Sequence, residues 1–211
     1  MEESSFSPEE RSILEDSTIH VRRALEGDSN SLDWIVSRYT PLLRAQARYR
    51  LGSFANGRID IEDVVAEAWL VALRKSDELE PRMGRMTPVL LKFLGSTVHN
   101  IARREVARVV REDARSVGAA GEVVQEVDGD LTGVITSSTR RELARSIEEA
   151  IDQLAEKDRE VLILRGIEGM SNGDAAQELG EPQNRVAQRY RRALERLRAI
   201  VPELIVYLDA K

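Results

Sequence analysis

The chain has 211 residues, a net charge of −6, 42% hydrophobic and 4% aromatic residues, no cysteine, and two histidines, His20 and His99. These values fit one or two helical, surface-rich domains and exclude disulfides and thiolate metal sites; a histidine-based metal cluster is not expected either. No apolar run approaches the length of a membrane span, and the acidic, Ser-rich stretch Met1–Glu10 does not read as a signal peptide, so a soluble, cytoplasmic protein without metal or cofactor is expected.

Along the chain, residues 1–16 read as a loosely ordered acidic tail. A short helix is expected over 17–26, ending at Gly27-Asp28. A second starts near Ser31 and runs to about Leu51, with Leu32, Ile35, Val36, Tyr39, Leu42 and Leu43 near helical spacing. Pro41 removes a backbone donor, which predicts a kink or break there. Gly52–Arg58 reads as a loop. Asp60 is a good N-cap, followed by Glu62 and Asp63 in a first turn where the helix dipole favours acid. The helix 61–75 places Ile61, Val64, Val65, Ala68, Trp69, Ala72 and Leu73 on one stripe, with Glu62, Asp63 and Glu67 off it. Pro81 and Gly84 make 76–87 a loop. Thr87-Pro88 opens a helix to about Arg111. Residues 113–138 hold Gly118, Gly121, Gly129, Gly133 and several acids without helical periodicity, and read as a flexible linker. A last helical unit is expected over 139–208.

The charge is unevenly placed. Basic residues crowd Arg103, Arg104, Arg108 and Arg111, and again Arg185, Arg189, Arg191, Arg192, Arg196 and Arg198. Nucleic-acid binding depends on where charge lies more than on its sum. The second cluster sits in the layout of a DNA-reading helix pair. One helix carries Arg159, Val161, Leu162, Leu164 and Ile167; Ser171 caps the next, with Ala175, Ala176 and Leu179; Gly180 supplies the turn; Pro182 opens a third. On that third helix Val186, Tyr190, Ala193, Leu194 and Leu197 form a buried stripe. At about 100° per residue, Asn184, Arg185, Gln188, Arg191 and Arg192 point the other way. Arg pairs with guanine and Asn or Gln with adenine in the major groove, and later arginines hold phosphate. A solvated charged face is the plainer alternative; the arginine bias, the Gly turn and the small buried alanines favour DNA. Trp34 and Trp69 read as core residues, Phe93 as core or DNA contact in equal measure, and His99 as a surface histidine. No Gly-rich phosphate loop or nucleophile–histidine pair stands out.

The run from Leu154 to Ser171, then Asp174 to Gly180 and Asn184 to Leu197, resembles region 4 of sigma factors. Ala24–Asp28, Arg38–Leu43, Asp60–Leu70, Phe93-Leu94 and Asn100–Arg108 resemble region 2, in order and spacing, and no region 3 is evident between. The chain is thus similar to the extracytoplasmic-function type of the sigma-70 family. The resemblance implies an all-α protein of two domains, region 2 at 17–112 and region 4 at 139–211. It further implies a protein that is not an enzyme but directs RNA polymerase core to promoter DNA. Asp60, Glu62, Asp63 and Glu67 would bind the β′ clamp helices, and region 4 the β flap. Loop 76–87 would capture a flipped −10 base, Phe93 and Asn100 would contact the opened strand, and Arg103, Arg104 and Arg108 would hold its phosphates. Asn184, Arg185, Gln188, Arg189, Arg191 and Arg192 would read the −35 element. The resemblance admits an anti-sigma factor as a further partner. Ala66 stands where the family often has Gln, and Arg82–Thr87, Ala187 and Gln188 depart from its pattern. The rival reading is a helix-turn-helix regulator that binds duplex DNA without polymerase.

Overall fold

The computed structural model describes residues 8–55, 57–81, 85–116 and 138–198. Most of the expected linker (117–137), the start of the acidic tail (1–7), Arg82–Gly84 of the flipped-base loop and the end of the last unit (199–211) lie outside the described residues. Among those described, the structure is helical throughout, without a β-strand. The helices are α1 (Pro8–Leu25), α2 (Ser29–Leu51), α3 (Ile61–Arg74), α4 (Thr87–Ser116), α5 (Ser138–Asp152), α6 (Glu156–Val161), α7 (Asn172–Leu179) and α8 (Gln183–Arg198). A π-helical segment, Leu162–Ile167, continues α6.

The N-terminal half is built around α2, which touches α1, α3 and α4. Its sequence explains why: Ile35, Tyr39, Leu42 and Leu43 are fully buried and meet Val21 and Ala24 of α1, Val64, Val65 and Ala68 of α3, and Leu90, Leu94 and Val98 of α4 in one core. Fully burying a side chain of this size stabilises by about 1.5–3 kcal/mol. That is why α2 runs unbroken through Pro41, where a break was expected: buried Tyr39 and Leu42 flank the proline, and their packing offsets the one lost backbone bond. The helix also starts earlier than Ser31, because the Asp28 side chain accepts from the Ser31 N–H at 2.9 Å. A hydrogen bond from the Ser31 side chain, and then this backbone bond, hold the Asp28 carboxyl below its usual range.

Helix α1 begins at Pro8, nine residues before the expected start. Proline suits a first helical position, where its missing N–H has no partner to lose. Its descent into the core is fixed at Ser17, whose buried hydroxyl lies 2.8 Å from Thr87 Oγ1 and 3.3 Å from Tyr39 Oη. Asp60 caps α3 as expected, accepting from the Glu62 N–H at 2.7 Å. Trp69 is buried, its Nε1 donating to Thr40 Oγ1 at 3.0 Å. Trp34 is only half-buried. It stacks on His20 at 4.5 Å, with the Arg38 guanidinium 3.8 Å over its ring. Helix α4 outlasts the expected end at Arg111 and reaches Ser116. Arg58 grips Asp113 with two bonds of 2.5 Å, which draws the Asp113 carboxyl below its usual range.

In the C-terminal half, Ile147, Ile151, Val161, Leu162, Leu164, Val186, Ala193 and Leu197 are buried together. Arg159 closes the end of α5, donating to the carbonyls of Ile151 at 3.1 Å and Asp152 at 2.8 Å, as a cation does at a helix C-terminus. Ser171 accepts from the Asp174 N–H at 3.1 Å and starts α7. Gly180 ends it at φ +63°, the left-handed conformation that favours a residue without Cβ.

The two halves are docked. Helix α2 packs along α5 and against the π-helical segment, which also touches α4.

Candidate DNA and polymerase interfaces

The helix expected to read DNA is α8. Its five expected core positions, Val186, Tyr190, Ala193, Leu194 and Leu197, are all buried. On the other face Asn184, Arg185, Gln188, Arg191 and Arg192 are exposed. Asn184 and Arg185 fall in the first turn, the part of such a helix that enters a major groove. Gln183 is exposed beside them and was not anticipated. Its place before the stripe gave no periodic signal.

Arg189 is different. Its side chain is 18% exposed, and it donates to Glu181 Oε2 at 2.9 Å and to Asp158 Oδ1 at 3.1 Å. The helix turns it inward, so it braces α8 against α6. Arg192 donates to the same Asp158 oxygen at 3.3 Å while remaining 52% exposed, which leaves part of its guanidinium facing solvent. Asp158, 5% exposed, is therefore the acid that holds two recognition-helix arginines in place. Sequence reading missed it because its partners lie more than 30 residues away. Glu181 joins the brace through Lys157 at 3.0 Å. Lys157 first, and Arg189 with it, hold the Glu181 carboxyl below its usual range.

In the N-terminal half, Glu62 and Asp63 are exposed on α3 and Glu67 is partly so. Leu70, 51% exposed, continues the row of Asp63 and Glu67 one turn further. An apolar residue off the buried stripe was the available signal for it. Asp60, also exposed, uses its carboxylate as the cap of α3. Glu62 accepts two bonds from Arg44, at 2.7 and 2.8 Å.

Helix α4 carries the first basic cluster. Asn100, Arg103, Arg104 and Arg108 are exposed. Lys92, another exposed cation, lies on the same stripe at positions i, i+8 and i+11 with Asn100 and Arg103. Phe93 is half-buried and packs on the core. Arg104 makes a bidentate pair with Glu67 at 2.7 and 3.0 Å, and that bond, with one to Glu105, raises its pKa further. Arg108 pairs with Glu105 and Glu112, both at 2.9 Å. The Arg104–Glu67 and Arg108–Glu112 pairs are solvent-exposed, of the kind worth about 0–1 kcal/mol. His99 is partly exposed, and its Nδ1 lies 3.8 Å from Glu168 of the C-terminal half.

Among the described residues no group of His, Asp and Glu is placed to hold a metal ion, and no helix is long and apolar enough to cross a membrane.

Comparison with known proteins places this geometry. The family model "Sigma-70, region 4" matches residues 144–197, the span from α5 through α8. The RNA polymerase sigma factor NccH of Alcaligenes xylosoxydans xylosoxydans is 28% identical over 180 residues, covering 85% of this chain and 91% of that protein. The ECF RNA polymerase sigma factor SigD of Mycobacterium bovis is 27% identical over 178 residues, covering 84% and 80%. The solved sigma factor RpoE of Bartonella quintana, in complex with the anti-sigma factor NepR, is 25% identical over 81% of this chain and 97% of its own, with a TM-score of 0.33. The matches to the curated relatives run through both halves, which the rival reading of a lone duplex-binding regulator does not explain. Residues 144–197 thus match region 4 of the sigma-70 family, and both halves are similar to RNA polymerase sigma factors, SigD of the extracytoplasmic-function type among them.

Proposed function

We propose that the two halves of this sigma factor divide promoter recognition between them. The α3 face of Glu62, Asp63, Glu67 and Leu70 binds the β′ clamp helices of RNA polymerase core. The α4 stripe of Lys92, Asn100 and Arg103, with Arg104 and Arg108 beside it, holds the opened −10 strand, with half-buried Phe93 as a further contact. Single-stranded binding needs cations along the backbone and stacking partners for the bases. The C-terminal half, bounded by α5 and α8, reads the −35 element through Asn184, Arg185 and Gln188, with Arg191 and Arg192 on phosphates and Arg189 as a brace. Region 4 meets the β flap. The chain lends specificity and leaves the chemistry to the polymerase, so it acts in the cytoplasm and is not itself an enzyme.

The observation that carries this reading is α8: one face wholly buried, the other an exposed row of Asn, Arg and Gln led by the helix N-terminus. The test separates base reading from phosphate holding. Arg185→Ala is expected to weaken binding to a preferred −35 duplex by about 1–3 kcal/mol and to relax preference at one position. Arg191→Ala should weaken all sequences alike and reduce the salt slope of log K by about 1. Fluorescence anisotropy across a salt series reads both. Equal, sequence-independent losses for the two variants would remove Arg185 from the base-reading set.

A further inference from the structure

Three hydroxyls meet inside the N-terminal half, one from each of three helices. Ser17 of α1, Tyr39 of α2 and Thr87 of α4 are each fully buried. Ser17 Oγ lies 2.8 Å from Thr87 Oγ1 and 3.3 Å from Tyr39 Oη. Around them is the core to which Val21, Ile35, Leu42 and Leu90 belong. A hydroxyl in such a place costs free energy unless it is hydrogen-bonded, and alanine, phenylalanine and valine would fill nearly the same space without that cost. What the hydroxyls add is direction. An apolar contact tolerates small slides and rotations, whereas a hydrogen bond weakens steeply away from its preferred length and angle. The three groups therefore fix where α1, α2 and the first residue of α4 stand relative to one another.

Thr87 is the first residue of α4. Before it, Met86 is buried, and its carbonyl accepts from the Leu90 N–H at 3.0 Å. After it, Pro88 has no N–H to give. The first turn of α4 thus takes its position from tertiary contacts, Met86 in the core and Thr87 on Ser17. At the other end Arg58 holds Asp113, about 39 Å away along the helix axis. An error at Thr87 is passed on most fully to Lys92 and Phe93, about a turn and a half away, and least to Arg108 near the far anchor. Lys92 is exposed and Phe93 half-buried. Both belong to the face that the reading above gives to the opened −10 strand, and the present inference rests on that reading. Helix α1 has no residue in that face or in the polymerase face.

We propose that Ser17 is a positioning residue for −10 recognition. Through Thr87, with Tyr39 as its second partner, it sets the start of α4 so that Lys92 and Phe93 meet the unpaired strand at one distance and angle. Binding groups must be held within about 0.5 Å of their productive geometry by the residues behind them. Base discrimination is a difference between right and wrong contacts. When the start of α4 can shift, a wrong base is accommodated at less cost and that difference shrinks. A helix with no place on either face thereby contributes to promoter choice.

The test assembles the full-length chain with RNA polymerase core. Opening is followed by the fluorescence of 2-aminopurine placed in the −10 element of a preferred promoter, and of fragments that each carry one substituted −10 base pair. The quantity read is the ratio of opening between preferred and substituted fragments. Ser17→Ala should lower that ratio about three- to tenfold, the range that one hydrogen bond supplies, while affinity for core and for a −35 duplex stays within about twofold. Thr87→Val, which keeps the branched shape and loses the hydroxyl, should act alike. The double variant should lose no more than either single one, because both remove the same bond. Alanine is a good helix former, so α1 is expected to persist. Circular dichroism checks both variants, and if one loses helical content the other decides. Loss of opening by the same factor on every fragment, with the ratio as in the parent, would make Ser17 part of the packing alone and overturn the role. Additive effects of the two substitutions would overturn it too. A parent chain that opens no promoter with core strikes the functional reading and the role with it, whereas a discriminating parent and unchanged variants strike the role alone.

Discussion

Asp158→Ala is expected to destabilise α6–α8 by about 2–3 kcal/mol and to weaken −35 binding with it. Breaking a buried ion pair from one side costs about 3–5 kcal/mol, because the partner charge is left without compensation. The lower figure applies here because Arg189 keeps Glu181 and Arg192 is already half exposed. The variant removes the acid that joins α6 to α8, so the recognition helix should keep its sequence and lose its fixed angle. Hydrogen exchange read by mass spectrometry is the suitable probe. Protection should fall across α6, α7 and α8 and remain unchanged in α2 and α3. Both tryptophans, Trp34 and Trp69, lie in the N-terminal half, so tryptophan fluorescence serves as the control that this half stays folded. Protection unchanged within about 0.5 kcal/mol would mean that the pair behaves as a surface ion pair, and the brace would have to be sought in the Glu181 contact alone.

The second large effect is expected at the polymerase face. The double variant Asp63→Lys, Glu67→Lys should reduce affinity for RNA polymerase core at least about 30-fold, since reversing interface charges places like charges opposite one another at a cost of several kcal/mol. The fold should survive, because both positions lie off the buried stripe of Val64, Val65, Ala68 and Trp69. Glu67→Lys also frees Arg104 from its bidentate pair. Binding of single-stranded −10 DNA by the same variant is therefore expected to hold or rise while core binding falls. Loss of both together, with Trp69 fluorescence altered, would point to damage in the α3–α4 packing rather than to a polymerase contact.

The architecture was legible where one period dominates. The α3 and α8 stripes declare themselves because their apolar residues recur at helical spacing and the remaining positions are charged; the five core positions expected on α8 are all buried. Local chemistry gave the Asp60 cap and the Gly180 turn. What sequence could not supply was tertiary. Pro41 sits in a helix that its neighbours' burial holds together, so a local rule about proline lost to packing. Arg189 looked like one more arginine of a DNA face, and only the fold brings Asp158 and Glu181 to it. Leu70 and Lys92 are single residues whose meaning depends on which face remains open. The docking contact was the least visible of all: Gln46, Arg50, Glu168 and Glu178 read as ordinary polar positions on separate helices. Nothing in a linear sequence says that Arg50 will be 15% exposed against Glu168.

The central claim is that the chain converts RNA polymerase core into a promoter-specific enzyme. It is tested most directly by mixing the purified full-length chain with bacterial core and a library of promoter fragments, and sequencing the transcripts that begin. A one-to-one complex is expected, with initiation confined to fragments sharing a −10 and a −35 motif and abolished by the Asp63→Lys, Glu67→Lys variant. Tight, sequence-specific binding to duplex DNA with no complex formed with core, and no transcripts beyond those of core alone, would contradict it.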